Sequence, residues 1–245
     1  MGNTKRVLMT GAAGSIGQAL LQPLADRYEL RAMFHRATVQ VPPGVDIVRG
    51  DVERIDHALA AVDGCDAVLH LAGNPHMTAS FEEVLAANIR GTYSIYEACR
   101  LKCVPKVVFA STNHVTGMYE RDGMPVEPGQ VVRPDSFYGA SKAHGEALGR
   151  FYSDSHGLSV ICLRIGSFLP RPQNKRNLAT WLSHRDMVQL AWRSIEADVK
   201  FGVYYGISGN TRRQWSIDGA VADLGYAPED DAEEYASEIL AGPDA

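Results

Sequence analysis

Short apolar runs alternate along this chain with stretches of helical periodicity. Strand-like runs fall at Arg6–Thr10, Leu30–Phe34, Ala67–Leu71, Lys106–Ala110 and Ser159–Ile165. Apolar positions recurring every three to four residues predict helices between them, as over Phe81–Cys99 and Ser141–Ser155. Such alternation predicts an α/β fold: a parallel sheet covered by helices on both faces. The segment Gly117–Pro134 reads as a long loop, and a long loop in a compact domain is usually a lid or a binding loop. Beyond Arg171 the pattern turns irregular, with Trp181, Trp192, Trp215 and the pair Tyr204-Tyr205. This portion is expected to supply the substrate side, mainly within 167–226, while being woven back into the sheet. The whole chain, 1–245, is therefore expected to be one domain.

Composition narrows the function. The 245 residues are 45% hydrophobic, enough for a full core, and carry a formal net charge of −5. A nucleic-acid partner is not expected, because phosphate backbones are met by basic faces. Cys65, Cys99, Cys103 and Cys162 form no C-x-x-C pair and read as reduced thiols. Two cysteines without histidine partners make no metal site, so no metal is expected. No signal peptide precedes the first strand and no apolar run is long enough to span a bilayer, which makes a cytoplasmic location without membrane contact the expectation.

Two motifs carry candidate chemistry. Gly11-Ala12-Ala13-Gly14-Ser15-Ile16-Gly17 follows the apolar run Val7-Leu8-Met9 and opens an amphipathic helix through Leu20, Leu21 and Leu24. The first glycine permits a tight turn, the middle one lets phosphate oxygens approach the backbone, and the last lets the helix lie close on the sheet. A dinucleotide pyrophosphate would then sit against the free N–H groups and positive dipole end of that helix, near Gly14, Ser15 and Ile16. The expected architecture is accordingly a Rossmann-like doubly wound sheet with a small C-terminal substrate-binding portion.

The second motif is Tyr138-Gly139-Ala140-Ser141-Lys142. Tyr138 and Lys142 stand at i and i+4 and so share a helix face. A tyrosine pKa of ~10 is too high for a base at neutral pH, but a nearby ammonium and a cationic nicotinamide ring both favour the phenolate. Thr112 ends the strand that starts at Lys106, at the carboxyl edge where open α/β sheets bind ligands. Ser111 is the alternative, since alternation along a strand lets only one of the two face the site.

The spacing G-x-x-G-x-x-G, together with Gly50-Asp51-Val52, His70-Leu71-Ala72-Gly73 and Asn88-Ile89-Arg90-Gly91-Thr92, resembles the extended short-chain dehydrogenases/reductases, the NAD-dependent epimerase/dehydratase family. The resemblance runs from about Lys5 to Tyr226. It implies that Asp51 and Val52 lie near the adenine, that Leu71, Ala72 and Gly73 pass the nicotinamide ribose, and that Asn88 belongs to the cofactor site. It also implies that Tyr138 is the catalytic base, that Lys142 holds the ribose, and that Thr112 binds the reacting oxygen. Within the family, Val108-Phe109-Ala110-Ser111-Thr112-Asn113-His114, Arg164-Ile165-Gly166-Ser167 and the segment from Arg176 to His184 resemble the uronate dehydrogenase group. That likeness implies sugar-hydroxyl contacts from Asn113, His114 and Ser167 and a carboxylate clamp at Arg176.

Two departures stand out. Asn74-Pro75-His76 replaces the hydroxyl residue of the group after the L-x-G turn. Tyr205-Gly206-Ile207-Ser208, Trp215-Ser216-Ile217-Asp218 and Leu224-Gly225-Tyr226 resemble instead a sugar-phosphate dehydrogenase group, and Arg171, Lys175, Arg176, Arg212 and Arg213 suit a phosphate as well as a carboxylate.

The resemblance thus implies an NAD- or NADP-dependent oxidation of the anomeric carbon of a uronate or aldose to a lactone, by a homo-oligomer acting on a small-molecule sugar. A hexose-phosphate dehydrogenase, a nucleotide-sugar epimerase or dehydratase, and a non-catalytic dinucleotide sensor are the alternatives. The sensor is disfavoured by the tyrosine–lysine pair, and the nucleotide-sugar enzymes by the little that follows Arg164. NAD-specific enzymes place an acid at the end of the second strand. Here that strand runs into His35-Arg36, which predicts NADP preference or dual use.

Overall fold

Burial on both faces of a parallel sheet explains the near-continuous apolar runs. In the computed structural model, which describes residues 4–242, strands β1 (Arg6–Thr10), β2 (Glu29–Phe34), β3 (Asp46–Arg49), β4 (Ala67–His70), β5 (Lys106–Thr112), β6 (Ser159–Ile165) and β9 (Phe201–Gly206) form one sheet. Its order is β3-β2-β1-β4-β5-β6-β9, every pair parallel. Two short strands, β7 (Ser167–Phe168) and β8 (Trp181–Leu182), pair separately. Alternate residues feed two cores. Val7, Met9, Val108 and Ile161 pack on one face, and Leu8, Val107, Phe109 and Val160 on the other. The first core is closed by α1 (Ser15–Ala25) and α8 (His184–Glu196), the second by α2 (Ile55–Val62), α4 (Gly91–Leu101) and α6 (Phe137–His156).

Several elements differ from the sequence expectation. β3 is an edge strand, largely exposed, so it lacks an apolar signature. β9 lies within the stretch that reads as irregular, because glycines flank its tyrosines. β5 runs on through Ser111 and Thr112, whereas β4 stops at His70 and leaves Leu71 in the loop. The predicted helix over Phe81–Cys99 is divided: α3 (Phe81–Val84), a wide π turn at Leu85–Arg90, then α4. Part of the predicted loop after Thr116 is helical, as α5 (Gly117–Arg121), and Val126 bridges to Trp215. Beyond Ser167, α7 (Asn177–Thr180) and α9 (Asp218–Leu224) flank the α8–β9 unit, which belongs to the main sheet. α10 (Ala236–Leu240) contributes Ala236 to a small cluster with Leu178 and Trp181.

The chain moves outward from β1 to β3 and then crosses back to β4, so a crevice opens between the carboxyl ends of β1 and β4. α6 reaches that crevice because it lies hard against the sheet. A Cβ at Gly145 would stand 2.4 Å from the Phe109 ring. Ser136 caps the helix by accepting the Gly139 N–H at 3.0 Å, which places Tyr138 in its first turn. Among the described residues no helix is long and apolar enough to cross a membrane, and no cluster of three or more His, Cys, Asp or Glu is arranged to hold a metal ion.

Candidate active site

A cleft of about 580 Å³ occupies the crevice. Its floor begins at the glycine turn. Gly11 has φ +70°, and a Cβ there would lie 2.7 Å from the Ala72 nitrogen; one at Gly17 would lie 2.5 Å from the Gly11 carbonyl oxygen. Both positions exclude any side chain. Gly14 starts α1 without a side-chain cap, so the N–H groups of the first turn keep no partner from a capping side chain. A Cβ at Gly14 would meet nothing but the Gly11 carbonyl within 4 Å, leaving that approach open. With Ser15 and Ile16 lining the same wall, this cradle has the shape and dipole that a pyrophosphate needs.

Along the cleft, His35, Arg36, Asp51 and Val52 line one end, Leu71, Ala72 and Gly73 the middle, and Thr112, Asn113, His114, Tyr138 and Lys142 the other. The exit of β4 is held by a buried network that sequence reading missed. Thr10 Oγ1 hydrogen-bonds His70 Nδ1 at 2.8 Å and accepts the Ala72 N–H at 3.2 Å. Burial, aided by the Lys142 charge, pushes the His70 pKa down to about 3, so the ring is neutral there. Asn88 does not face the cleft. It is fully buried in the π turn, accepts the Asn74 N–H at 2.6 Å and donates to the Asn74 carbonyl and to Ser141 Oγ. It therefore ties the loop after Gly73 to α6, one layer beneath the predicted contact.

Thr112 and Ser111, neighbours at the end of β5, both line the cleft but take different partners. Ser111 Oγ donates to Glu146 at 2.6 Å, whereas Thr112 Oγ1 accepts the His114 N–H at 3.3 Å and lines the cleft with Tyr138. Burial pushes the Tyr138 phenol up from its ordinary value, and the neighbouring Thr112 hydroxyl opposes it. Burial, not Lys142, thus dominates the phenol in the protein itself, and burial also disfavours the Lys142 ammonium, pulling its pKa down to about 8. The Lys142 ammonium lies 4.8 Å over the Phe109 ring. Under this site, Glu146 receives Arg164 through two bonds of 2.9 and 2.8 Å, both side chains being buried.

The sugar-side candidates fall in two groups. His114 lines the cleft and its Nδ1 bonds Asp135 Oδ2 at 2.9 Å, an orienting acid that no local spacing reveals. Asn113 Nδ2 donates to the Ile165 carbonyl at 3.1 Å, while its Oδ1 accepts Arg176 Nη2 at 3.0 Å. Ser167 and Arg176 lie beside the cleft, joined to it through Asn113. Ser167 Oγ bonds Thr180 Oγ1 at 2.8 Å and accepts Arg176 Nη1 at 3.3 Å. Arg176 is also paired with Glu120, an acid that the sequence reading did not single out. Phe168, stacked on His184 at 4.6 Å, completes the wall.

Comparison with known proteins matches this geometry. The NAD dependent epimerase/dehydratase family matches residues 7–215. An NAD-dependent glucose-6-phosphate dehydrogenase of Haloferax volcanii is 39% identical over 95% of this chain and 96% of its own. An L-arabinose 1-dehydrogenase (NAD(P)(+)) of the same organism is 36% identical over 93% of this chain and 97% of its own. The crystal structure of uronate dehydrogenase from Agrobacterium tumefaciens superposes with a TM-score of 0.91 at 37% identity, covering 98% of this chain and 91% of that one. A glycine cradle, a tyrosine–lysine helix and a parallel seven-stranded sheet in one order thus have a common origin: the chain belongs to the NAD dependent epimerase/dehydratase family.

Proposed function

We propose that this protein is a nicotinamide-dependent sugar dehydrogenase that oxidises the anomeric carbon of an aldose or sugar acid to a lactone. The observation that carries this reading is the meeting of Thr112, Tyr138 and Lys142 at one end of a cleft whose other wall is the Gly11–Gly17 cradle. When bound, the oxidised nicotinamide supplies a hydride acceptor and a positive charge that favours an adjacent phenolate. Tyr138 Oη takes the proton of the C1 hydroxyl as that carbon loses its hydride. Thr112 Oγ1, lining the cleft with Tyr138, orients the reacting oxygen. Lys142 binds the ribose hydroxyls and adds its charge to the stabilisation of the phenolate. His114, fixed by Asp135, and Asn113, fixed by Ile165 and Arg176, present polar groups to the sugar. The test is NAD(P)H formation across neutral aldoses, uronates and hexose phosphates, with turnover of at least one class expected. Absence of turnover on all three would remove the reading.

The same groups predict a pH profile. Burial raises the Tyr138 pKa, so the base form grows as pH rises. Oxidation should therefore climb by about tenfold per pH unit from roughly pH 6. The climb should flatten near pH 8, where Lys142, with its pKa lowered to about 8, begins to lose the charge that supports the phenolate. A profile flat between pH 6 and about 8, measured on kcat/KM, contradicts this assignment.

For the cofactor, we assign Arg36 to the 2′-phosphate of NADP. It is exposed and lines the cleft beyond β2, where no carboxylate ends the strand. Glu29 is at the opposite end of β2, and Asp46 pairs with Arg31. His35 Nε2 lies 3.7 Å from Asp51, whereas among the described residues Arg36, which lines the cleft, forms no ion pair. Arg36→Ala should weaken NADP at least about tenfold more than NAD, the scale of one charge-assisted hydrogen bond. Steady-state kinetics with both cofactors check this, and equal losses would count against the assignment.

A further inference from the structure

The guanidinium of Arg176 is filled from within the chain. Nε and Nη2 both donate to the Glu120 carboxylate, the second at 2.9 Å to Oε2. Nη1 donates to Ser167 Oγ at 3.3 Å, and Nη2 also reaches Asn113 Oδ1 at 3.0 Å. The forked edge with which an arginine grips a carboxylate therefore already holds one. Glu120 lies in α5, directly after the tight helical turn Asn113–Thr116, so one short segment presents both the sugar-facing residues and this acid. The pair lines a hollow of about 200 Å³ beside the main cleft, with Lys175, Gln214 and Trp215 on its other walls. The bridge is partly solvated, the Glu120 side chain being 23% and that of Arg176 42% exposed, and Asn113 and Ser167 also bond the guanidinium.

An anionic sugar group brought to Arg176 has two routes, both unfavourable. It displaces Glu120 and leaves that carboxylate beside the incoming one, or it binds alongside and meets the Glu120 charge directly. A neutral sugar meets neither cost, because its hydroxyls can donate to Glu120 and accept from Asn113 or Ser167. We infer that Glu120 is a specificity-determining residue: it occupies the carboxylate position on Arg176 and tunes the site toward neutral aldoses and against uronates. This rests on the sugar-dehydrogenase reading above, and it separates this chain from an arginine clamp open to substrate.

The test uses matched sugars that differ only at C6, D-glucose with D-glucuronate and D-galactose with D-galacturonate, on the full chain with saturating NAD or NADP. Parent enzyme should favour the neutral member of each pair in kcat/KM. Glu120→Gln should move the uronate-to-aldose ratio toward the uronate by at least about tenfold, the scale of one charge-assisted contact. Glu120→Asp, which keeps the charge, should stay closer to the parent ratio and controls for damage to the fold. Calorimetric binding of the same sugars reads selectivity without turnover. Selective binding that shifts in Glu120→Gln, without NAD(P)H formation, would uphold the role of Glu120 and remove the dehydrogenase reading. A parent that prefers the uronates, an unchanged ratio in Glu120→Gln, or no binding of either sugar overturns the inference.

Discussion

Tyr138→Phe should lower kcat for sugar oxidation by roughly two to four orders of magnitude, the range for removal of a positioned general base. The substitution deletes the phenolic oxygen and keeps the ring, whose centroid lies 6.2 Å from that of His114. Among the described residues, the titratable groups nearest Tyr138 are held in other roles. Lys142 is a cation over the Phe109 ring, His70 is buried in the Thr10 network, and His114 is committed through Nδ1 to Asp135. Cofactor affinity, read by fluorescence titration, should change little, because the glycine cradle and α1 are untouched. A variant that keeps most of the parental rate would take Tyr138 out of the mechanism.

The second large effect is on stability. Glu146→Gln leaves Arg164 with a buried, uncompensated charge, its side chain being 3% exposed. Breaking one partner of such a pair costs about 3–5 kcal/mol. At roughly 2–4 °C per kcal/mol for a domain of this size, the melting temperature should fall by about 6–20 °C. Ser111 would lose its charged acceptor, loosening the end of β5 next to Thr112. Replacing both partners, as Glu146→Met with Arg164→Met, should recover much of the loss, because paired removal of a buried salt bridge is often neutral or better. Thermal melts of the three proteins decide this. A Glu146→Gln melt indistinguishable from the parent's contradicts it.

What the sequence made legible was local. The glycine turn, the tyrosine–lysine pair and the strand ending at Thr112 each depend on spacings of a few residues, and each lies in the cleft. Alternation gives Ser111 and Thr112 different partners, Glu146 and the His114 N–H, although both line the cleft at the end of β5. What stayed hidden depends on contacts across the chain. Glu120 and Arg176 are separated by 56 positions and His114 and Asp135 by 21, so no periodicity links them. Asn88 was read as a cofactor contact because its motif lies near the crevice, yet the π turn directs it inward to Asn74 and Ser141. β3 escaped notice for a different reason: an exposed edge strand buries too little to need an apolar face.

The central claim is that hydride leaves the anomeric carbon. The most direct test incubates the protein with D-glucose or D-glucuronate deuterated at C1 and follows the reduced cofactor by mass spectrometry. The account predicts that the deuterium appears in the reduced nicotinamide and that the sugar is released as the lactone or the acid it hydrolyses to. Reduced cofactor without deuterium, or label retained at C1 of an oxidised product, would place the chemistry at another carbon and contradict the account.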